Sequence, residues 1–373
     1  MYFKDYHGKK LPALGLGALR FPMDKENPER IDRKAAAEII DAAMANGINY
    51  FDTAYAYQKN DSERVLGEVL SKYPRDSYYI ATKYYLSQKY PLEEMFFQQL
   101  ERLQTDYIDF YLLHSIEDEN ADQYMDPAND YLGFLLKQKE AGRIRHIGFS
   151  THAGAKTLER FLNWHDDFDM AIMQLNYLDW NLLNAKGLYE ILTAHNIPVW
   201  VMEPLKGGRL ATLNEEASAM LKAYAPDQSI ASWGFRFLMG LDNVQMCLSG
   251  MNAVSQLEDN LKTFEKCNPL NDEEKELLFK AADVFLKDLG EPCSACRYCC
   301  DECPVHMDIP TVIRAYNEYR ISGHYWKVEG FDSMQSFPKD CVSCGACMQH
   351  CPQKINIPEV MQKFAEIIEK AKE

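Results

Sequence analysis

Along residues 13–265, short apolar runs alternate with amphipathic stretches. The runs at 13–17, 50–53, 79–83, 108–114, 144–150, 171–176, 199–203 and 245–249 read as strands. Between the first two, Ala36, Ile39, Ile40, Ala43 and Met44 recur at spacings of three and four, which places them on one face of a helix, and Gly47 supplies its stop. The same reading gives helices at 62–70, 92–103, 130–141, 155–162 and 182–194. Eight strands alternating with helices over roughly 250 residues predict a (β/α)8 barrel. The alternative, an open doubly wound sheet, is disfavoured by the count of eight and by the lack of a G-x-G-x-x-G turn after the first strand. Residues 2–6 and 11, joined by a turn at 7–10, form a hairpin that caps the barrel floor.

Beyond the barrel, residues 271–289 make one long amphipathic helix, with Leu277, Leu278, Ala281, Val284 and Phe285 on its apolar side; Gly290 and Pro292 end it. The expected organisation is a barrel at 1–270, a connecting helix at 271–290 and a small helical ferredoxin-like module at 291–373. That module is expected to hold helices at 309–321 and 358–372. Its two halves repeat each other only at a cysteine motif.

That motif carries the strongest chemical signal. Nine of the eleven cysteines fall in two runs, C-S-A-C-R-Y-C-C-D-E-C-P from Cys293 and C-V-S-C-G-A-C-M-Q-H-C-P from Cys341, and eight of them share one spacing. Both fit C-x2-C-x2-C-x3-C-P, the spacing with which bacterial ferredoxins hold [4Fe–4S] clusters, the fourth cysteine ligating the other cluster. Two clusters with crossed ligation follow: Cys293, Cys296, Cys299 and Cys351 on one, and Cys341, Cys344, Cys347 and Cys303 on the other. Zinc sites use paired C-x2-C knuckles with longer spacers, and disulfides belong to exported proteins. Cys300, next to Cys299, is read as a bystander thiol, and Cys247 and Cys267 as packing residues.

Composition narrows the class further. The 373 residues are 47% hydrophobic and 26% charged, ordinary values for a globular protein. No apolar run is long enough to span a membrane, and the N-terminus lacks the apolar core of a signal peptide, so the expected location is cytoplasmic. A formal net charge of −16 argues against nucleic acid as a partner.

Barrel active sites are built from the C-terminal ends of strands. The polar residues there are Asp52 and Tyr57 in F-D-T-A-Y-A-Y, Lys83 ending I-A-T-K, and His114 ending F-Y-L-L-H. Together they make a coherent acid catalyst: a lysine ammonium favours ionisation of a tyrosine, an aspartate holds the lysine, and a histidine orients a carbonyl oxygen. Tyr55 is the rival to Tyr57. Here the chain resembles the aldo-keto reductase family over residues 11–265, on D-T-A-x-x-Y, the strand-end T-K, L-L-H, I-G-F-S, Q-L-N, E-P-L and L-E-D-N. With the cysteine runs it looks like the members that carry a C-terminal ferredoxin domain.

The resemblance implies a catalytic tetrad at Asp52, Tyr57, Lys83 and His114, and reversible hydride transfer between NADPH or NADH and a small carbonyl or alcohol. It also implies a cofactor site: Ser150, Gln174 and Asn176 at the carboxamide, Gly17 and Arg20 from the first strand loop, Glu203, Leu205, Gly207 and Gly208 at the diphosphate, and Ser249, Gly250, Met251, Gln256, Asp259 and Asn260 around the adenosine. Four positions depart from the family pattern: Thr151 stands for an asparagine, Met202 for a stacking tyrosine, and Gly250 and Gln256 for basic residues that clamp a 2′-phosphate, which leaves the nicotinamide choice open. Tyr55, Tyr57, Tyr84, Tyr85, Tyr177 and Trp180 are expected to give an aromatic pocket, and the acidic stretch 115–127 a solvated loop. Since nicotinamide moves a hydride and each cluster a single electron, direct flow between them is not expected; the clusters either exchange electrons with the substrate, a flavoprotein or a ferredoxin, or are structural and pin the C-terminal helices over the barrel mouth. The competing reading is an electron carrier that uses the barrel as a docking scaffold.

Overall fold

The computed structural model describes residues 1–371 except 87–89, 289, 323–324, 326–327 and 329. They form two compact units, Met1–Pro204 with Ala231–Lys275, and Leu205–Ile230 with Glu276–Glu373. This division differs from the sequence expectation: the stretch after the seventh barrel strand belongs with the C-terminal unit, and the boundary falls inside the long helix.

The first unit opens with a hairpin of β1 (Phe3–Tyr6) and β2 (Lys9–Pro12). The barrel strands are β3 (Leu14–Gly17), β4 (Tyr50–Asp52), β5 (Tyr79–Tyr84), β6 (Ile108–Ile116), β7 (Ile144–Thr151), β8 (Met170–Gln174), β9 (Val199–Met202) and β10 (Val244–Ser249). All are parallel, in sequence order, and β10 closes on β3. Each matches its predicted run to within a few residues, Asn176 and Glu203 falling just past their strands. The barrel's lower interior is filled by Tyr50, Phe110, Met170, Trp200 and Met246, and the hairpin plugs it with Tyr6 and Leu11.

Local chemistry explains the helices. Arg33–Ala45 starts where the Asp32 carboxylate caps the amides of Lys34 and Ala35, buries Ala36, Ile39, Ile40 and Ala43, and ends at Gly47 with φ +83°. Ser62–Leu70 carries Gly67 because a Cβ there would lie 2.2 Å from the Arg102 carbonyl oxygen. The helix predicted at 182–194 is two, Asp179–Leu182 and Ala185–Ala194, broken at Asn184, whose φ is +52°. The acidic stretch is not wholly solvated. β6 runs on to Ile116, Ala121–Met125 is helical, and Glu117 is buried against the Ser115 hydroxyl at 2.6 Å. Two further helices, Glu215–Tyr224 and Ile230–Met239, lie beyond the predicted set. The second buries Trp233, Phe235, Phe237 and Leu238 around its circumference, so its sequence shows no one-sided pattern.

The long helix spans Asp272–Asp288; the predicted end at Leu289 lies outside the described residues. The C-terminal unit contains helices Ile309–Ser322 and Ile357–Lys370, close to prediction, with the expected end at Lys372 also outside the described residues. Its halves repeat well beyond the motif, correcting the sequence reading. At a constant offset of 48 residues, the buried Met307, Ile309, Val312, Ile313 and Tyr316 answer to Ile355, Ile357, Val360, Met361 and Phe364. Backbone geometry repeats too: Ala295, Arg297 and His306 have φ of +57°, +72° and +51°, and Ser343, Gly345 and Lys354 have +55°, +76° and +53°. Cys299, Cys347 and Cys351 are buried members of the same core.

Candidate active site

Parallel strands deliver their C-terminal residues to one end of the barrel, and Asp52, Lys83 and His114 stand on three consecutive ones. Lys83 Nζ donates to both Asp52 carboxylate oxygens at 2.8 Å and to the Thr53 carbonyl at 2.7 Å, so all three ammonium protons have acceptors. Tyr57 lies above this pair, its ring centre 5.1 Å from Lys83 Nζ and 6.1 Å from the His114 ring. Both members of the pair are buried. Burial raises the Asp52 carboxyl and lowers the Lys83 ammonium, and each partner opposes the shift of the other. The saturated hydrogen bonding of Lys83 fits the charged pair. Burial, and then the nearby charges of Lys83 and His152, hold His114 well below the usual 6.5, so its imidazole is neutral at neutral pH.

A second layer fixes Lys83 from behind. Gln99 Nε2 donates to the Lys83 carbonyl at 3.0 Å and to Glu63 at 2.7 Å. Glu63 also accepts from Thr82 at 2.5 Å and from Arg102 at 3.0 Å. No residue of this layer was singled out in the sequence; a buried Glu–Gln–Arg set from two neighbouring helices has no local spacing signature. The same holds for His152 and for Tyr124, whose hydroxyl donates to the His114 carbonyl at 2.6 Å.

The aromatic wall is smaller than predicted. Tyr85 lies 5.7 Å from the His114 ring. Tyr84 instead packs on Tyr131, and Trp180 packs on Tyr189 and Phe237. Tyr177 is fully buried. Tyr55 stacks on the Arg102 guanidinium at 4.1 Å, whereas Tyr57 faces the lysine.

The sequence-predicted cofactor residues of the first unit fall into linked groups at the same strand ends. Asn176 Nδ2 donates to the Glu203 carbonyl at 3.1 Å and to Asp179 at 2.7 Å; Gln174 Nε2 also donates to Asp179 at 2.7 Å. Asp179 was missed, although it sits three residues past Asn176. Arg20 reaches Glu203 at 3.4 Å, and a Cβ on Gly250 would lie 3.2 Å from Arg20 Cδ. A Cβ on Gly17 would lie 3.7 Å from the Gly250 nitrogen, so two glycines face each other with bare backbone. Asn260 Nδ2 donates to the Ser249 hydroxyl at 3.3 Å, and Ser150 Oγ accepts the Ser115 amide at 2.8 Å. Gln256 Oε1 accepts the Asn252 amide at 2.9 Å. Met251 is buried, and the Asp259 carbonyl accepts from Thr263. Amide and hydroxyl groups of this kind, beside a glycine cradle, suit a nicotinamide dinucleotide. Leu205, Gly207 and Gly208 lie in the second unit, both glycines with positive φ.

In the C-terminal unit, a recess is lined by Cys303, Cys341, Cys344 and Cys347 together with Val305, Met307, Ile309 and Met361. The four thiols are the crossed set. Cys293 likewise has Cys351 among its electrostatic neighbours, along with Arg209. Among the described residues no three cysteine, histidine or carboxylate groups converge tightly enough for a single metal ion. The recess, with four thiols around one apolar hollow, fits a multi-iron cluster. Cys300 packs against the same core. Cys247 is buried as predicted, but Cys267 is exposed.

The sequence model of the aldo/keto reductase family matches residues 13–282, and the chain belongs to that family. A 4Fe-4S dicluster domain matches residues 292–355. L-galactose dehydrogenase of Arabidopsis thaliana is 27% identical over 294 residues, covering 72% of this chain and 89% of that protein. The NADH-specific methylglyoxal reductase of Escherichia coli is 26% identical over 200 residues, 48% of this chain and 59% of its own length. The solved holo form of an aldo-keto reductase from Bacillus halodurans superposes with a TM-score of 0.62 at 24% identity, over 75% of this chain and 96% of that one, a likeness of fold. The protein is therefore an oxidoreductase of this family with a dicluster domain. No helix among the described residues is long and apolar enough to cross a membrane.

Proposed function

We propose that the barrel reduces a small carbonyl compound, or oxidises the corresponding alcohol, with NADPH or NADH, and that the C-terminal unit holds two [4Fe–4S] clusters that pass electrons to a flavoprotein or ferredoxin. The carrying observation is the buried Asp52–Lys83 pair beneath Tyr57 with neutral His114 beside it. A pure electron carrier has no use for such a pair.

Tyr57 holds the proton that the carbonyl oxygen receives. Lys83, its own protons taken by Asp52 and Thr53, acts on the phenol through its field, favouring the phenolate left behind. Asp52 keeps that charge in place. Neutral His114 orients the carbonyl oxygen without competing as the acid. When bound, the nicotinamide supplies or takes up a hydride. Ser150, Gln174 and Asn176 would hold its carboxamide, with Asp179 fixing the two amide side chains. Gly17, Arg20, Glu203, Leu205, Gly207 and Gly208 would take the diphosphate side, and Ser249, Gly250, Met251, Gln256, Asp259 and Asn260 the adenosine. With Gly250 lacking a side chain and Gln256 engaged by Asn252, those two positions offer no clamp for a 2′-phosphate. We read this as use of NADH at least as readily as NADPH, in keeping with the NADH specificity in the name of the Escherichia coli relative. The cluster ligands are Cys293, Cys296, Cys299 and Cys351 for one, and Cys341, Cys344, Cys347 and Cys303 for the other.

The test is carbonyl-dependent oxidation of NADH and NADPH by anaerobically purified protein. Tyr57→Phe is expected to lower that rate by on the order of 100-fold while cofactor binding, followed by fluorescence, persists. Undiminished turnover in the variant would remove Tyr57 from its role.

A further inference from the structure

The 48-residue repeat makes the two cysteine sets nearly equivalent in backbone, so their differences stand out. In one half, residue 305 is Val; in the other, the equivalent residue is Gln353, two residues beyond Cys351. Gln353 Oε1 accepts a 2.9 Å hydrogen bond from Lys206 Nζ, and both side chains are buried. Three residues on, Arg209 lies within charge–charge range of Cys293 and Glu291. Lys206 and Arg209 thus flank Gly207 and Gly208, and all four belong to the same compact unit as the cysteines. Around Cys303, Cys341, Cys344 and Cys347 the recess is lined by apolar side chains, Val305, Met307, Ile309 and Met361 among them. Gly207 and Gly208 are exposed, with φ of +66° and +94°, and a Cβ at Gly208 would meet nothing within 4 Å.

We propose that Lys206 and Arg209 make the cluster site of Cys293, Cys296, Cys299 and Cys351 the higher-potential member of the pair, and that an anion bound at Gly207–Gly208 lowers that potential. The second clause rests on the reading of these glycines as the diphosphate contact. The physical basis is charge. One electron, from a one-electron donor, adds a negative charge to the thiolate-bound cluster with no bond broken, and two nearby cations favour it. A diphosphate beside Arg209 draws on the same positive field. Nucleotide and electron therefore compete, and by linkage reduction must weaken nucleotide binding by the factor with which nucleotide disfavours reduction. The protein would release its dinucleotide more readily once this site is reduced.

The experiment is a spectroelectrochemical titration of the full-length holoprotein, alone and with saturating NAD+ or inorganic pyrophosphate. Two separable one-electron potentials are expected. NAD+ and pyrophosphate should lower only the higher one, a tenfold coupling corresponding to about 59 mV. Arg209→Gln, with Arg209→Lys as the charge-preserving control, should lower the same potential without any ligand, and Cys351→Ser should perturb that signal and assign it. Two equal potentials, unmoved by Arg209→Gln, would overturn the inference. If NAD+ binds by fluorescence yet neither potential shifts, the competition fails while the cofactor reading stands. If NAD+ does not bind, the cofactor reading fails, and the ligand-free Arg209→Gln arm still decides the role of the cations.

Discussion

In the barrel, Asp52, Lys83 and His114 stand on strand ends above a core of Tyr50, Phe110, Trp200 and Met246 that packs without them. In the C-terminal unit, Cys299, Cys347 and Cys351 are themselves part of the core, packed with Met307, Ile313, Met361 and Phe364. The barrel therefore carries its chemistry as a polar layer satisfied by its own hydrogen bonds, down to the third proton of Lys83. The C-terminal unit wraps a recess whose walls are the ligands. The first arrangement is preorganised by the fold, whereas the second makes the fold depend on what fills it.

The largest expected effect follows from that contrast. Removing iron under reducing conditions should leave residues 13–204 and 231–275 protease-resistant while residues 276–371 become cleavable. Limited proteolysis read by mass spectrometry checks this; a resistant apo C-terminal unit would erase the distinction. A smaller perturbation on the same side is Cys351→Ser. With crossed ligation it should damage the cluster of Cys293, Cys296 and Cys299, about fifty residues upstream, and spare the other. An electron paramagnetic resonance spectrum matching that of Cys344→Ser would mean that each run holds its own cluster.

On the barrel side, Lys83→Met strands a buried carboxylate. Breaking a buried pair in this way costs about 3–5 kcal/mol, measurable as a fall in the urea midpoint at neutral pH. The sign with pH is defined. Burial already raises the Asp52 carboxyl above 3.8, and losing Lys83 removes what opposes that shift. A raised folded pKa gives stability that is present at low pH and lost as pH rises, so the variant should recover toward the wild type as pH approaches 4. Equal losses at pH 4 and pH 8 would show that the pair matters by packing alone.

The two regions also differed in legibility. Eight strands were readable because each is a short apolar run bounded by polar segments, and their ends then placed Asp52, Lys83 and His114 together. The cysteine spacing was readable because ligation dictates it locally. Arrangement in space was not. The bond from Lys206 to Gln353 spans 147 residues, and the support of Lys83 by Gln99 joins a helix face to a strand carbonyl. The long repeat is faint in the sequence because, past the motif, few positions are identical, Ile309 and Ile357, Pro310 and Pro358, and Val312 and Val360 among them, while Tyr316 answers Phe364 and Ile313 answers Met361 by burial. Sequence pattern registers what neighbours along the chain require, and these relations are between surfaces.

The smallest effect tests whether the polar layer of the barrel is as self-contained as its geometry implies. His114 is buried, and burial together with Lys83 and His152 holds it well below 6.5. A folded state that resists protonation while the unfolded chain accepts a proton near 6.5 is at full strength above that pH and weakens as pH falls toward the folded pKa. One such group costs the wild type up to about 1.4 kcal/mol for each pH unit below 6.5. His114→Gln has nothing to titrate and should lack that decline. Urea midpoints of both proteins between pH 7.5 and 5.5, with iron retained throughout, isolate the effect, because changes common to the two cancel in the difference. A wild type that loses stability relative to the variant as pH falls supports a neutral, buried imidazole. A wild type that instead gains stability relative to the variant as pH falls would mean that the folded-state histidine already carries its proton at neutral pH, and its role toward the carbonyl oxygen would then be that of a cation.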